Sequence, residues 1–427
     1  MLSACLPAGG GKIKPPPSPP ARGIAGRLVL HIGLYSPALP ASNSANGIVT
    51  YTRIMQQALR ALGHRVTVLD VHSVQHPDDR VELLPRQSRM RARLNGWTER
   101  LNPSLWMPHL THRIARSVQY LHRSDPFDVF EMEESFGSAT ELGLPVPVVM
   151  RLHGPHFLGK DAVEPPAAAR LSRQRMALEG HAIRTAEAIT SPSARLLAAT
   201  LDHYDARSRR AVTIPNPIAA QPPDRCWSID RCDLDQILCI GRFDLRKGAD
   251  IALQAFARVA ARNPRAKLVL AGPDHGLQQP DGQFVHFPDY LSTHIPEAIR
   301  HRITYLGSIS PEKVAALRLT SAICLTCSRF ENFPYSVAEA MAAGVPSIVS
   351  DSFGNGELVE DGVSGFVVPI GDIEATAAAI ERALGDPARL AAMGDAAHRR
   401  CVEWLVPERV AAATVDFYRE VIAARRA

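Results

Sequence analysis

Two glutamates with seven residues between them, Glu331 and Glu339, lie in the segment of this chain that offers the most chemistry. A short apolar run over residues 322–327 precedes them and predicts a strand, and residues 335–343 predict a helix that begins just after Pro334. A helix N-terminus presents unpaired N–H groups and a partial positive charge, which suits a phosphate. Carboxylates accept hydrogen bonds from sugar hydroxyls. The segment therefore predicts a pocket for a sugar joined to a diphosphate.

A basic loop is the second candidate for ligand chemistry. Residues 241–248 read Gly-Arg-Phe-Asp-Leu-Arg-Lys-Gly and follow an apolar run that predicts a strand. Arg242 could hold a phosphate with its planar guanidinium, and Lys247 could add a point charge. A solvated basic loop is the alternative, but the nearby glutamate pair favours ligand binding. The loop is not a P-loop, and no predicted strand leads into G-x-G-x-x-G, which argues against a nicotinamide dehydrogenase.

The elements that must position these residues occur in two similar sets. Strand-like runs alternate with helical patterns over residues 27–218, and the same alternation starts again over 236–405. This rhythm predicts an α/β protein with two Rossmann-like, doubly wound parallel sheets, whose ligands bind at the carboxyl ends of the strands. Residues 219–235, rich in Pro, Asp and Arg, predict a linker. Residues 406–427 predict a helix that must dock on a domain already built.

Composition sets the outer limits of the interpretation. A chain of 427 residues with 46% hydrophobic and 21% charged residues is typical of a two-domain globular protein. Its net charge of +5 is mild and argues against a nucleic-acid binder. Residues 1–26, rich in Gly, Pro and Ala, predict a disordered leader or an overextended start without the apolar core of a signal peptide. No apolar run reaches transmembrane length.

The seven cysteines are scattered, which favours a reduced, cytoplasmic chain. Cys324 and Cys327 form a C-x-x-C pattern on a predicted strand, without a second pair or a nearby histidine. Because residues i and i+3 of a strand point to opposite faces, buried small side chains are the better interpretation than a metal or redox site.

Beyond the glutamate pair, the second half carries an ordered set of motifs. They are Gly241–Gly248, Leu268–Gly272, Tyr305–Gly307, Glu331–Glu339, Ala340–Pro346 and Glu357–Pro369. In this order and spacing, about residues 236 to 405 resemble the retaining GT-B glycosyltransferases of family 4, also described as glycosyl transferases group 1. The first half resembles the family only in outline, at Gly47, Gly63–Val66, His153–Gly154, Ser191 and Pro215–Pro217.

The resemblance implies a GT-B fold, in which two domains face each other across a cleft and the final helix crosses back to the first domain. It also implies an enzyme, a hexosyltransferase that moves a sugar from a UDP- or GDP-sugar to a hydroxyl acceptor with retention of configuration. The acceptor would be a glycan, a lipid-linked sugar or a small molecule. The alternatives are a non-catalytic partner subunit that binds sugar nucleotides, and a GT-B phosphorylase or epimerase.

The catalytic roles follow from the same resemblance. Arg242 and Lys247 would hold the donor diphosphate, and Glu331 would contact hydroxyls of the transferred sugar. His153, from the first half, would face the reacting sugar.

The resemblance also implies the donor-binding set. Glu339 would accept hydrogen bonds from the ribose, and Gly47 would approach the pyrophosphate. The remaining members are Gly241, Phe333, Pro334, Tyr335 and Ser336. Two departures stand out: Asn332-Phe333-Pro334 replaces the common Gly-Phe-Gly and removes one N–H donor, and Asn46 precedes Gly47 where the family often has a second glycine.

No cofactor and no metal are expected, because the Asp-x-Asp pattern occurs only at Asp233 and Asp235, inside the predicted linker. The predicted partners are the nucleotide-sugar donor and the glycan or lipid-linked acceptor, with no nucleic acid. The predicted location is cytoplasmic, with possible peripheral contact at the inner membrane.

One segment suggests that membrane contact. The residues concerned are Arg86, Arg89, Arg91 and Arg93, followed by Leu94, Trp97, Leu101 and Trp106. Together they could rest on an anionic bilayer. A solvated helix whose tryptophans pack inward is the preferred interpretation of the sequence.

Overall fold

The computed structural model describes residues 29–42, 46–85, 89–102, 105–159, 166–207 and 210–426. The predicted leader over residues 1–26, together with Arg86, lies outside these ranges. The described chain forms two large sheets, each surrounded by helices.

The first sheet has eight strands in the order β4-β3-β2-β1-β5-β6-β7-β8. The strands are β1 His31–Tyr35, β2 Arg65–Leu69, β3 Ser73–Gln75, β4 Val81–Leu83, β5 Val129–Glu133, β6 Val148–Arg151, β7 Ala188–Ser191 and β8 Ala211–Thr213. All neighbours pair in parallel except β2 with β3 and β3 with β4, which are antiparallel. These two short edge strands have no buried apolar run, so the sequence pattern did not predict them.

In the described residues, five α-helices lie between strands of the first sheet along the chain. They are α1 Gly47–Ala61, α2 Arg89–Leu101, α3 Trp106–Ser124, α4 Pro166–Thr185 and α5 Ala194–His203. The helix α1 is the next helix after β1 and is capped by the Asn46 side chain, which accepts a hydrogen bond from the N–H of Ile48. Gly47 therefore lies in the first turn of α1, at the carboxyl end of the sheet.

The second sheet has six parallel strands in the order β13-β10-β9-β14-β15-β16. Its strands are β9 Asp233–Ile240, β10 Lys267–Ala271, β13 Ile303–Tyr305, β14 Ser321–Thr326, β15 Ser347–Ser350 and β16 Gly365–Val368. A separate hairpin pairs β11 Leu277–Gln278 with β12 Phe284–Val285. The helices are α6 Ala249–Arg262, α7 Phe287–His294, α8 Glu297–Arg300, α9 Pro311–Thr320, α10 Tyr335–Ala342, α11 Phe353–Leu358, α12 Ile373–Leu384, α13 Pro387–Trp404 and α14 Pro407–Arg426.

The segment predicted as a linker, residues 219–235, is not a free tether. Its last three residues belong to β9, where Asp233 accepts a hydrogen bond from Lys267 Nζ at 2.9 Å. Farther upstream, Trp227 is buried in the core of the second sheet, and its indole N–H donates to Ser321 O at 2.8 Å. The prediction of a linker was wrong for this part, because one buried indole binds the segment to the second domain.

The last helix, α14, returns to the first sheet. Its buried residues, among them Val415 and Tyr418, pack in one cluster with residues of α1 and β1. Tyr418 Oη donates to the buried carboxylate of Glu131 at 2.7 Å, and Tyr51 Oη donates to the same carboxylate at 2.9 Å. In the described part of the chain, no helix combines the length and the apolarity that crossing a bilayer requires.

Candidate active site

In the loop after β9, the carboxylate of Asp244 binds the side chain of one basic residue and the backbone of another. Arg242 Nε donates to Asp244 Oδ2 at 2.7 Å, and the backbone N–H of Lys247 donates to Asp244 Oδ1 at 2.7 Å. Asp244 therefore orients the guanidinium and fixes the turn that carries the lysine. The side chains of Arg242 and Lys247 are 40% and 27% exposed, so both can reach a ligand.

Lys247 also joins this loop to the loop that follows β14. Its Nζ donates to Glu331 Oε1, and Ser328 Oγ donates to the same oxygen at 3.0 Å. Because β9 and β14 are adjacent parallel strands, both loops leave the sheet at the same edge. The structure thus brings the residue predicted to bind the diphosphate, Lys247, into direct contact with the residue predicted to bind the sugar, Glu331.

Glycine makes this close approach of the two loops possible. Gly248, immediately before α6, has φ +68°, and a Cβ there would lie 2.0 Å from Cys327 O. Any larger residue would force the loops apart and strain the backbone. Gly241 lies under the lysine, because a Cβ there would be 3.6 Å from the Lys247 side chain.

The start of α10 provides backbone donors next to Glu331. Val337 N and Ala338 N both donate to Pro334 O at 3.1 Å, so they are already paired. The N–H groups of Tyr335 and Ser336 precede them in the first turn, where the helix itself offers no acceptor. The side chain of Phe333 is buried in an apolar cluster, and its backbone N–H is the group predicted to approach the ligand.

Gly47 faces α10 across the gap between the two domains. A Cβ on Gly47 would lie 3.8 Å from Tyr335 Cδ2, in ordinary contact. The Tyr335 hydroxyl is buried without a hydrogen-bond partner in the described structure, and burial raises its pKa. The predicted first-domain glycine and the predicted α10 residues therefore line one cleft.

His153 also contributes to this cleft. The backbone N–H groups of His153 and Gly154 donate to the Glu134 carboxylate at 3.0 and 2.7 Å. The carbonyl oxygen of His153 accepts a hydrogen bond from Asn332 Nδ2 of the second domain at 2.5 Å. Burial, assisted by the Arg151 charge, holds the pKa of the imidazole well below its ordinary value. His153 is therefore neutral at physiological pH and can serve as a hydrogen-bonding group rather than as a cation.

Glu339 lies one turn into α10 and pairs with a buried cation. Arg318, whose side chain is 6% exposed, donates from Nη2 to Glu339 Oε2 at 2.5 Å. The Glu339 side chain remains 43% exposed, so the carboxylate is held in position yet open to a ligand. Glu339 is not in the Lys247–Glu331 cluster, and this separation agrees with two different predicted roles.

A second contact between the domains uses Glu357 of α11. Its Oε1 accepts hydrogen bonds from Ser193 Oγ at 2.8 Å and Arg195 N at 2.7 Å, and its Oε2 accepts from Ala194 N at 2.9 Å. The carboxylate of one domain therefore caps the first turn of α5 in the other. Beside it, Arg195 Nη1 donates to Asp351 Oδ1 at 2.5 Å.

A cavity of about 800 Å³ opens next to the basic loop. Residues of both domains line it, including Leu158, Asp244, Leu245, Arg246, Phe284 and Phe330. Its volume is in the range of small-molecule sites. Because Phe330 directly precedes Glu331, the cavity adjoins the charged cluster.

Sequence reasoning assigned no role to Asp244, Arg318, Asn332 or Glu357, although each binds or adjoins a predicted site residue. Asp244 carried a local signal, since an aspartate in a turn often accepts a hydrogen bond from a backbone N–H two or three residues later. The partners of the other three come from distant parts of the chain, and one sequence gives no pairing information for them.

Comparison with known proteins identifies the class. The family model of Glycosyltransferase Family 4 matches residues 45–221, and that of Glycosyl transferases group 1 matches residues 232–400. Glycogen synthase of Mycobacterium tuberculosis is 28% identical over 260 residues, covering 60% of this chain and 59% of that protein. The match thus spans little more than half of that relative's length.

Solved structures define the fold. Sucrose-phosphate synthase from Thermosynechococcus elongatus superposes with a TM-score of 0.67 at 21% identity, covering 92% of this chain and 100% of that one. Anabaena HepE, solved in complex with UDP and glucose, has a TM-score of 0.61 at 17% identity with the same coverage of both chains. The predicted GT-B fold is confirmed. With the two matched models, the chain belongs to the family 4 glycosyltransferases, group 1.

Proposed function

We propose that this protein transfers a hexosyl group from a nucleoside-diphosphate sugar to a hydroxyl acceptor, with retention of configuration. The observation that carries this proposal is the contact of Lys247 with Glu331, with Arg242 on the same loop. A cation pair beside a largely buried carboxylate, at the carboxyl edge of a parallel sheet, suits a diphosphate joined to a sugar.

The chemistry would rest on fixed charges. As the bond between the sugar and the diphosphate breaks, negative charge grows on the leaving phosphate, and Arg242 and Lys247 stabilise it electrostatically. The N–H groups of Tyr335 and Ser336 add positive potential from the start of α10. We expect no metal requirement, and activity retained after treatment with a chelator is the direct test.

The two carboxylates would bind different parts of the donor. Glu331 would accept hydrogen bonds from the transferred sugar once Lys247 Nζ turns toward the diphosphate. Glu339, held by Arg318, would accept from the ribose. The neutral imidazole of His153 would bind a sugar hydroxyl without competing for the phosphate.

For the base of the donor and for the acceptor, we propose only which nucleotides to test and where the acceptor binds. UDP is the first nucleotide to test, because HepE was solved with it, and GDP is the second. We place the acceptor in the 800 Å³ cavity, which lies beside Glu331 and is lined by both domains. A cytoplasmic location fits the six described cysteines, which are all free thiols.

The test removes both cations. Charge-assisted hydrogen bonds contribute about 1.5–3 kcal/mol each. The double variant Arg242→Ala/Lys247→Ala should therefore lose about 3–6 kcal/mol, on the order of 10²–10⁴ in rate with a UDP- or GDP-hexose. A matched control is Arg258→Ala/Arg262→Ala, which removes two cations from the exposed face of α6.

The outcomes separate the alternatives. Turnover by the Arg242/Lys247 variant within tenfold of the parent would overturn the proposed site. Thermal stabilisation of the parent by a UDP- or GDP-sugar, without turnover on any glycan, lipid-linked or small acceptor, would favour the non-catalytic partner subunit. Inversion of the anomeric centre, read from the product by NMR, would contradict retention, and phosphorolysis or epimerisation of the donor would indicate the other enzyme classes.

A further inference from the structure

The helix α2 exposes a stripe of large apolar side chains. Met90 is 82% exposed, Leu94 57% and Trp97 60%. Their spacing of four and then three residues places them on one side of the helix. We call this set of three residues the α2 face. The preferred prediction that the tryptophans pack inward was right for Trp106, whose ring lies 5.0 Å from that of Phe136, and wrong for Trp97.

Two more exposed apolar side chains come shortly before α2 in the chain. Val81 and Leu83, 56% and 66% exposed, point to the same side of β4, because they are two residues apart on a strand. The strand β4 is the last in the order of the first sheet. Single exposed apolar residues are common, but three large apolar side chains on one side of a helix mark an interaction surface.

The charge around the α2 face is strongly positive. Residues 86–100 contain five arginines and one acidic residue, Glu99. Glu99 Oε1 is paired with His109 Nδ1 of α3 at 2.7 Å. At 100° per residue, helix positions 89 and 93 flank one side of the apolar stripe, and position 91 flanks the other. An apolar stripe with arginine on both sides fits a partner whose outer layer is anionic and whose interior is apolar.

A bilayer with anionic lipids has this arrangement. The helix has 13 residues, fewer than the roughly 20 needed to span a bilayer, so it would lie in the interface. Tryptophan favours the headgroup level, and arginine stems let the guanidinium reach phosphates.

We propose that the α2 face docks this protein on an anionic membrane surface. Met90, Leu94 and Trp97 enter the boundary between headgroups and acyl chains, while arginines of α2 bind lipid phosphates. This inference does not depend on the proposed transferase activity, since the test below measures binding of the full chain to vesicles without donor or acceptor.

The probes are vesicles of phosphatidylcholine alone and of phosphatidylcholine mixed with phosphatidylglycerol, in a co-sedimentation assay. The parent should bind the anionic vesicles and release them as salt rises. Leu94→Gln/Trp97→Gln should lower the partition coefficient by about tenfold or more, because both side chains leave the interface. The matched control is Phe284→Gln, which removes an exposed aromatic residue of the second domain.

Charge is tested separately. Arg89→Gln/Arg91→Gln/Arg93→Gln should weaken binding on the order of 100-fold, from the usual contribution of each basic residue near an anionic surface. The control Arg258→Gln/Arg262→Gln/Arg265→Gln makes the same change of net charge on α6 and the turn after it, and should leave binding nearly unchanged.

A spectroscopic measurement locates the contact. Trp97 is the one tryptophan counted among the exposed large apolar residues of the described chain, so brominated lipids should quench its fluorescence most. Vesicle binding that ignores lipid charge, or that is equal in the Leu94/Trp97 variant and the parent, would overturn the proposal. So would dimerisation in analytical ultracentrifugation that the Leu94/Trp97 variant abolishes, because the α2 face would then be an interface between copies.

Discussion

Glu357 allows the closest test of how the two domains meet. Its carboxylate, 6% exposed, accepts three hydrogen bonds from the first turn of α5. That turn keeps a cap of its own if Glu357 is lost, because Ser193 Oγ also accepts from Leu196 N at 3.1 Å. Changing Glu357 should therefore affect the contact between the domains more than the folding of either one.

The size of the effect follows from these bonds. Hydrogen bonds to a charged group contribute about 1.5–3 kcal/mol each, and water replaces them when the domains part, so the lower limit applies. Three bonds then give about 4.5 kcal/mol, a shift of on the order of 10³ toward open forms for Glu357→Ala. Glu357→Gln keeps one acceptor oxygen and loses the charge, so its shift should be smaller, about tenfold.

Small-angle X-ray scattering and donor affinity would measure the shift. Glu357→Ala should increase the radius of gyration and weaken binding of the sugar nucleotide, and Glu357→Gln should fall between it and the parent. The control is Glu360→Ala. Its side chain is 52% exposed, and its ion pair with Arg400 Nη1 is long, at 3.9 Å. Scattering curves and donor affinities that are the same for Glu357→Ala and the parent would refute the reasoning.

Two further predictions concern single carboxylates. Glu339→Gln leaves the buried guanidinium of Arg318 without its carboxylate, so it should lower the free energy of unfolding by about 1.5–3 kcal/mol and raise the donor KM more than it lowers kcat; an unchanged urea midpoint and an unchanged KM would contradict this. Burial, then the nearby Glu134 carboxylate, raises the pKa of Glu133 to about 8. A carboxyl pKa above its unfolded value makes ionisation favour the unfolded state, so the stability gained from Glu133→Gln should grow from about pH 5 to pH 8 in urea titrations, and a constant gain would refute it.

The ligand-binding loops could be predicted from the sequence because parallel sheets follow a general rule. Gly241–Gly248 and Glu331–Glu339 each follow an apolar strand, and loops at the carboxyl ends of neighbouring strands converge. The strand order that makes β9 and β14 neighbours came with the fold. The contact of Lys247 with Glu331 could not be predicted, since a spacing in sequence does not reveal which side chains meet.

Other features lay beyond the sequence pattern for identifiable reasons. Glu357 and Ser193 are 164 positions apart and belong to different domains. The apolar residues of α2 alternate with arginines, so periodicity alone could not show whether Trp97 faces the core or the solvent. The segment predicted as a linker is held to the core of the second domain by Trp227. Burial of this one large side chain has more effect on its position than the many polar residues around it.

The return of α14 to the first sheet has a consequence for synthesis of the chain. Tyr418 and Val421 complete the core around α1 and β1, yet the ribosome makes them after the whole second sheet. During translation the core of the first half therefore stays incomplete until α14 is made. Until then its apolar surface is uncovered and Glu131 lacks its Tyr418 partner. The second half, although translated later, has all its strands before α14 emerges and can fold first. Chaperone dependence should accordingly concentrate on the half that is made first.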